Sequence, residues 1–195
     1  MIINGNCRSD GVQAGLYITS VGNNERVQVL EQWADYGHDP ESNVRMAVMD
    51  FDLWSKSTLG ELGLYHAQIN PHPDFSRMTP ELWRHCADHL EKKLGLDGQP
   101  RVMTLHTKNG RTHAHVIWAR ADVENNRLIN IPYSRLKQKE AGRELSEELY
   151  PQIEINRWPS KGKSYDRNEQ QQHERRSLNV QERREAIAED WQQSR

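Results

Sequence analysis

The tightest constraint on this sequence is a β-hairpin centred on Asn109-Gly110. Asn-Gly between two runs of alternating polar and apolar residues is the strongest short-range signal for a two-residue type I′ turn. The pattern predicts antiparallel strands over 102–108 and 111–119. Because such a turn has a fixed length, it also sets which residues of the two strands lie opposite each other.

Three histidines converge on one face of this predicted hairpin. His106 lies directly opposite His113, and His115 shares their face because side chains alternate with period two. Opposed Cβ atoms lie about 5 Å apart. Three imidazoles can hold one divalent cation and leave coordination positions open, as catalytic sites do. Isolated histidines are usually surface or hydrogen-bonded groups, so the register set by the turn is what favours a metal site.

Strands and helices alternate along the rest of the folded region. Apolar spacing predicts strands over 1–6 and 63–70 and helices over 12–20, 44–54, 80–94 and 134–150. Since the clearest strand pair is antiparallel, we predict an α+β fold with helices on one face of an antiparallel sheet.

Two of the helices have end signals or an apolar stripe that can be read from the sequence. Thr79 and Pro80 are typical of a helix start, and Gly95 is typical of a helix end. The residues expected to face the core are Leu82, Cys86, Leu90 and Leu94 in the first helix and Leu136, Leu145 and Leu149 in the second.

Composition narrows the class of protein further. The chain has 195 residues and a formal net charge of −2, so it lacks the overall basic balance typical of a nucleic-acid binder. DNA binding would therefore require basic residues segregated on one surface. No apolar run approaches the roughly 20 residues of a membrane span. Two cysteines and the absence of a secretory signal predict a cytoplasmic protein with reduced thiols.

A change in composition near Trp158 predicts the end of the folded region. We expect a folded domain over 1–158. The strongly polar segment 159–195 contains too few apolar residues to bury a core, which predicts an arm or linker helix.

Two blocks, LYHAQINPHPD and TPELWRHCADHLEKKLGLDGQPRVMTLHTKNGRTHAHVIWARAD, resemble the relaxases and mobilisation nucleases of plasmids, which are HUH endonucleases. The resemblance covers about residues 1–150. It implies an antiparallel sheet covered by helices, with His106, His113 and His115 as metal ligands. It also implies a divalent cation, with Mg²⁺ or Mn²⁺ expected and Zn²⁺, Ni²⁺ or Co²⁺ as substitutes in vitro.

The activity implied by the resemblance is nicking of single-stranded DNA at an origin of transfer through a covalent 5′-phosphotyrosine, which initiates plasmid mobilisation or conjugation. The nucleophile would lie in a short helix after the first strand, which corresponds to Tyr17; Tyr36 is the alternative. Many relaxases also orient a ligand histidine with a carboxylate. Candidates here for that partner are His66, Gln68, Asp74 and Asp122.

Phosphate contacts are expected from basic residues near the hairpin, namely Lys108, Arg111, Arg120 and Lys137. The resemblance further implies a bacterial cytoplasmic protein that meets relaxosome accessory proteins and the coupling protein of a type IV secretion system, without membrane insertion. Three other functions remain open from the sequence: a rolling-circle replication initiator with the same metal site, a metal-dependent hydrolase with three histidine ligands, and a non-enzymatic DNA-binding accessory protein.

Overall fold

The structure is a computed structural model that describes residues 1–72, 75 and 78–151. The expected arm over 159–195, Trp158 and Asp74 lie outside the described residues. The elements, in chain order, are β1 (Ile2–Arg8), α1 (Gly11–Thr19), β2 (Arg26–Glu31), α2 (Pro40–Ser55), β3 (Leu64–Asn70), α3 (Pro80–Leu94), β4 (Arg101–Lys108), β5 (Arg111–Ala119), β6 (Ala121–Asp122), β7 (Arg127–Leu128) and α4 (Ser134–Leu149).

Five strands form an antiparallel sheet in the order β1-β3-β5-β4-β2, which confirms the α+β class. The central hairpin has the predicted register, with Lys108 opposite Arg111 and His106 opposite His113. Strand β2 was not predicted. It is short, and only Val27 and Val29 alternate there with polar residues, so its local signal is weak. It forms by pairing with the already specified β4.

Helices cover both faces of the sheet, whereas the sequence predicted one covered face. Helices α1 and α2 pack on the face that carries Val102, Ile117 and Ala119. Helices α3 and α4 pack on the face that carries Val116 and Trp118. Because β5 alternates between two sets of apolar side chains, both of its faces must be buried. One helical layer could not have covered them.

The helix ends follow the predicted signals, but two of the predicted core positions are wrong. The Thr79 hydroxyl accepts a hydrogen bond from the backbone of Leu82, and Gly95 adopts a left-handed conformation. Leu82 itself is only half-buried, and the neighbouring Trp83 enters the core instead.

In α4, Leu136 is 55% exposed. The buried stripe of this helix runs through Gln138, Ala141 and Leu145. Gln138 can occupy a buried position because its amide donates to the Gly5 carbonyl and contacts the Tyr65 hydroxyl. The apolar pattern alone therefore indicates the wrong face of the first turn of α4.

Helices α1 and α2 approach each other closely through two glycines of α1. A Cβ atom on Gly11 would lie 2.6 Å from the Val48 carbonyl oxygen and 2.8 Å from the Asp52 Cβ. A Cβ atom on Gly15 would lie 3.2 Å from the Arg45 Cα. A side chain at Gly11 would therefore force α1 to shift against α2, and one at Gly15 would make a tight contact.

We predict that Gly11→Ala destabilises the domain although alanine favours helices. The new methyl group must push α1 away from α2, and forced overpacking typically costs about 1–3 kcal/mol. Urea unfolding would measure this loss. Gln13→Ala, an exposed position of the same helix, should leave the unfolding free energy nearly unchanged. A Gly11→Ala protein as stable as the wild type would contradict the tight α1–α2 contact.

Candidate metal and nuclease site

The hairpin brings three imidazoles into one cluster. His106 on β4 and His113 and His115 on β5 each offer a ring nitrogen, and these nitrogens lie within 4.8 Å of one another. Ring centroids are 5.7 Å apart for His106 and His113, 4.4 Å for His106 and His115, and 4.9 Å for His113 and His115. The cluster therefore has the size needed for several nitrogens to approach one cation.

A fourth imidazole lies beneath this cluster. His66 on β3 is buried, and its Nε2 lies 2.9 Å from Nδ1 of His115. The bond restrains the His115 ring and leaves its Nε2, which is buried and has no hydrogen-bond partner among the described residues. A buried nitrogen with no partner is what a metal ligand would present before binding. The residues present therefore fit a divalent cation.

Of the candidate orienting partners that the structure describes, His66 is the one that contacts a histidine of the cluster. Gln68 lies opposite His115 in the β3–β5 pairing, but no hydrogen bond joins the two side chains among the described residues. Asp122 accepts hydrogen bonds from Asn125 and Arg127 in the small β6–β7 sheet. Its carboxylate is therefore occupied there.

His106 makes a hydrogen bond through each ring nitrogen. Its Nδ1 lies 3.1 Å from the Asn24 amide nitrogen, and its Nε2 lies 2.8 Å from the Ile18 carbonyl oxygen. Coordination by this ring requires one of these two contacts to open. The sequence gives no sign that Asn24 contacts His106. Asn24 precedes β2, and because β2 was not predicted, its pairing with β4 and the position of Asn24 could not be predicted either.

Tyr17 lies on α1 beside three of the four histidines, namely His66, His106 and His115. Its ring centroid is 5.4 Å from that of His115, 5.8 Å from that of His66 and 6.4 Å from that of His106. The residue is 54% exposed, so the side chain is accessible from solvent. The Arg8 guanidinium lies 5.8 Å from the centroid of the same ring.

Tyr36, the alternative nucleophile, has a different environment. Its hydroxyl donates a 2.6 Å hydrogen bond to the Asp50 carboxylate on α2. Burial, together with this bond and the carboxylate charge, raises the pKa of Tyr36 to about 12. Within the described residues its ring has no contact with the histidine cluster. Of the two tyrosines, the structure places only Tyr17 beside the histidines.

Burial keeps the clustered imidazoles neutral. It lowers the pKa of His66 to about 3 and that of His115 to about 2, and the positive charge of Arg8 adds to both shifts. Burial also lowers the pKa values of His106 and His113. Near neutral pH these rings therefore retain the lone pairs that a metal ion needs.

The basic residues expected to contact DNA are dispersed. Lys108 and Arg111 are exposed at the hairpin turn. Lys137 lies on α4, which packs against β1 on the opposite side of the sheet from the histidines.

Arg120 is buried, and its guanidinium donates to the carbonyls of Leu62 and Ile129. This guanidinium stabilises the chain around β5, so its expected role as a phosphate contact has no support in the fold. In the described part of the chain, no helix is both long and apolar enough to span a membrane.

The fold has the features that the resemblance to HUH endonucleases implied. These are an antiparallel sheet with a His-x-His strand, a third imidazole opposite that strand, and a tyrosine beside the cluster. A family model described as "Relaxase: MobA/VirD2-like, nuclease domain" matches residues 17–150, more than half of the chain. The chain therefore belongs to the MobA/VirD2-like relaxase family. Membership supports a DNA-nicking role, and the matched range contains both Tyr17 and the histidine hairpin. Neither the curated proteins nor the solved structures compared with the sequence show a significant match.

We predict that the metal-free protein loses stability as the pH falls from 7 to 5.5. The histidines titrate near 6.5 when unfolded, but burial lowers the pKa values of His66 and His115 in the fold. The unfolded chain then binds more protons, and each such residue contributes up to about 1.4 kcal/mol per pH unit. Their contribution is fully present above the unfolded pKa and declines below it.

Urea titrations in EDTA across this pH range would measure the slope. His66→Gln should make it shallower because one titrating group is removed, whereas His38→Gln, at an exposed loop position, should preserve it. An equal slope for His66→Gln and the wild type would argue against burial of a neutral His66.

Proposed function

We propose that this chain nicks single-stranded DNA at an origin of transfer and remains attached through Tyr17. The observation that carries the proposal is the position of the exposed Tyr17 ring above the histidine cluster. A tyrosine beside a cluster of candidate metal ligands is an arrangement for attack on a phosphodiester held at the same place. Among the described residues, the Tyr36 ring has no contact with the histidine cluster, and its hydroxyl donates to Asp50.

In the proposed reaction the Tyr17 oxygen attacks the scissile phosphorus. A Tyr–O–P bond forms, the P–O3′ bond breaks, and the 3′ oxygen leaves and takes up a proton as the tyrosine loses one. Since one phosphodiester replaces another, the bond energy is kept and the strand can be rejoined. A divalent cation bound by His106, His113 and His115 would supply Lewis-acid polarisation of a non-bridging phosphate oxygen.

His66 would act as a positioning residue in this site. Its hydrogen bond to Nδ1 of His115 holds that ring and leaves Nε2 available to a cation. Such partners of ligand histidines commonly change metal affinity by one to two orders of magnitude when they are removed. Because His66 is an imidazole and not a carboxylate, it adds no negative charge to the site.

The proposal extends to the partners and surroundings of the protein. Lys108 and Arg111, exposed at the hairpin turn, would contact DNA phosphates near the site. We also propose a nuclease domain over 1–158 with an arm or linker over 159–195. We further propose that the protein acts in the bacterial cytoplasm, where it would bind relaxosome accessory proteins and a type IV coupling protein. A replication initiator would use the same site, and the location of the nick would identify it.

We predict that Tyr17→Phe abolishes formation of the covalent adduct. Loss of the hydroxyl removes the attacking oxygen and little else, because the ring remains. The assay uses 3′-labelled single-stranded oligonucleotides of randomised sequence with Mn²⁺ or Mg²⁺, followed by denaturing electrophoresis to detect labelled protein. Tyr36→Phe is the matched control and should form the adduct. An adduct retained by Tyr17→Phe would refute this nucleophile, and DNA turnover without any adduct would favour a simple hydrolase.

We predict that the double variant His113→Ala/His115→Ala no longer binds a divalent cation. Two of the three convergent nitrogens are then missing. Titration of the EDTA-treated protein with Mn²⁺, followed by electron paramagnetic resonance, should show one bound ion for the wild type. His38→Ala removes an exposed imidazole outside the cluster and should bind as the wild type does. Equal binding by the double variant would show that the cluster is not the metal site.

A further inference from the structure

Arg8 is a cation beside the proposed nucleophile that the sequence did not single out. In the β1–β3 pairing, Asn6 lies opposite His66 and Arg8 opposite Leu64. Because side chains alternate, Arg8 therefore shares the sheet face that carries His66. Its guanidinium carbon lies 5.8 Å from the centroid of the Tyr17 ring, and the residue is half-buried.

The charge of Arg8 is not balanced by a carboxylate in the described part of the chain. No ion pair or side-chain hydrogen bond involves Arg8 among those residues. Asp10, the nearest acid along the chain, instead caps α1 by accepting a hydrogen bond from the backbone of Gln13. A guanidinium carries five donors, and the half-buried Arg8 therefore has donors available for an anionic ligand.

The surroundings of Arg8 increase this imbalance. The group of candidate ligand atoms consists of histidines alone, and its members are His106, His113 and His115. A bound dication would add more positive charge at the same place. An anion is therefore the group that this site lacks, although the whole chain has a formal net charge of −2.

We propose that Arg8 is a further catalytic residue, which binds the non-bridging oxygens of the scissile phosphodiester beside Tyr17. This proposal rests on the nicking function proposed above. The planar guanidinium can donate two parallel hydrogen bonds to a phosphate. As the tyrosine oxygen attacks and the 3′ oxygen leaves, the bound oxygens gain charge, and Arg8 stabilises that charge.

A purely structural role makes a different prediction. If Arg8 served only to hold the Tyr17 ring through a cation–π contact, any side chain that preserved the ring position would preserve the rate. If it binds phosphate, both its charge and its forked geometry matter. Arg8→Lys keeps the charge without the fork, and Arg8→Gln removes the charge.

The experiment measures the single-turnover rate of adduct formation at saturating DNA, using an oligonucleotide that the wild type nicks. We expect a loss on the order of 100-fold for Arg8→Gln and on the order of tenfold for Arg8→Lys. Binding of Mn²⁺ by Arg8→Gln should be retained, because the histidines are unchanged. Arg127→Gln, an exposed arginine that pairs with Asp122, is the matched control and should react at the wild-type rate.

A second measurement changes the DNA in combination with the protein. A methylphosphonate at the nicked position lacks one charged oxygen, and it should slow the wild type strongly. The same substitution should slow Arg8→Gln much less, because the partner of that oxygen is already missing. Additive losses would overturn the proposal.

The remaining outcomes are equally decisive. A wild-type rate for Arg8→Gln, or weaker DNA binding with an unchanged rate at saturation, would overturn the catalytic role of Arg8 and leave nicking by Tyr17 intact. If the wild type forms no adduct with any oligonucleotide, the proposed function fails and the role of Arg8 fails with it.

Discussion

The register between β4 and β5 is the constraint on which the candidate site depends. Side chains change face at every residue, so a slip by one position would place His106 on the opposite face from His113 and His115. The two-residue turn prevents that slip because its positive backbone angles suit Asn109 and Gly110 and match the twist of the strands. Burial of both faces of β5 also opposes a one-residue slip, since it would bring the histidines of β5 into the α3–α4 core.

The site combines the β4–β5 strand pair with α1, which is held in place by its contact with α2. Gly11 and Gly15 allow α1 to lie against α2, and this contact places Tyr17 above the imidazoles. The same helix supplies the Ile18 carbonyl that contacts His106. The proposed nucleophile and the candidate ligands are therefore joined by direct contacts, and a disturbance at the helix–helix contact would reach the cluster.

Electrostatics explain how a chain with a net charge of −2 can present a site suited to DNA. The chain has 28 acidic residues, but the described histidine cluster contains no carboxylate. Burial keeps the imidazoles neutral, so the free cation nearest to Tyr17 is Arg8 among the described residues. Local charge, not total charge, would then govern the approach of a phosphodiester. The basic residues that the sequence suggested as phosphate contacts differ in their surroundings, and the guanidinium of Arg120 is occupied by backbone carbonyls.

The sequence by itself determined the central hairpin, the convergence of its three histidines, the α+β class and most helix limits, because each depends on turn chemistry, alternation or capping within a few residues. The tertiary structure decided what lies around that hairpin. His66 reaches His115 from 49 positions away, and Tyr17 and Arg8 come from the N-terminal elements. Helices on both faces, the short strand β2 and the buried Gln138 were likewise decided by packing. Such contacts depend on which strands become neighbours, and no local pattern records that choice.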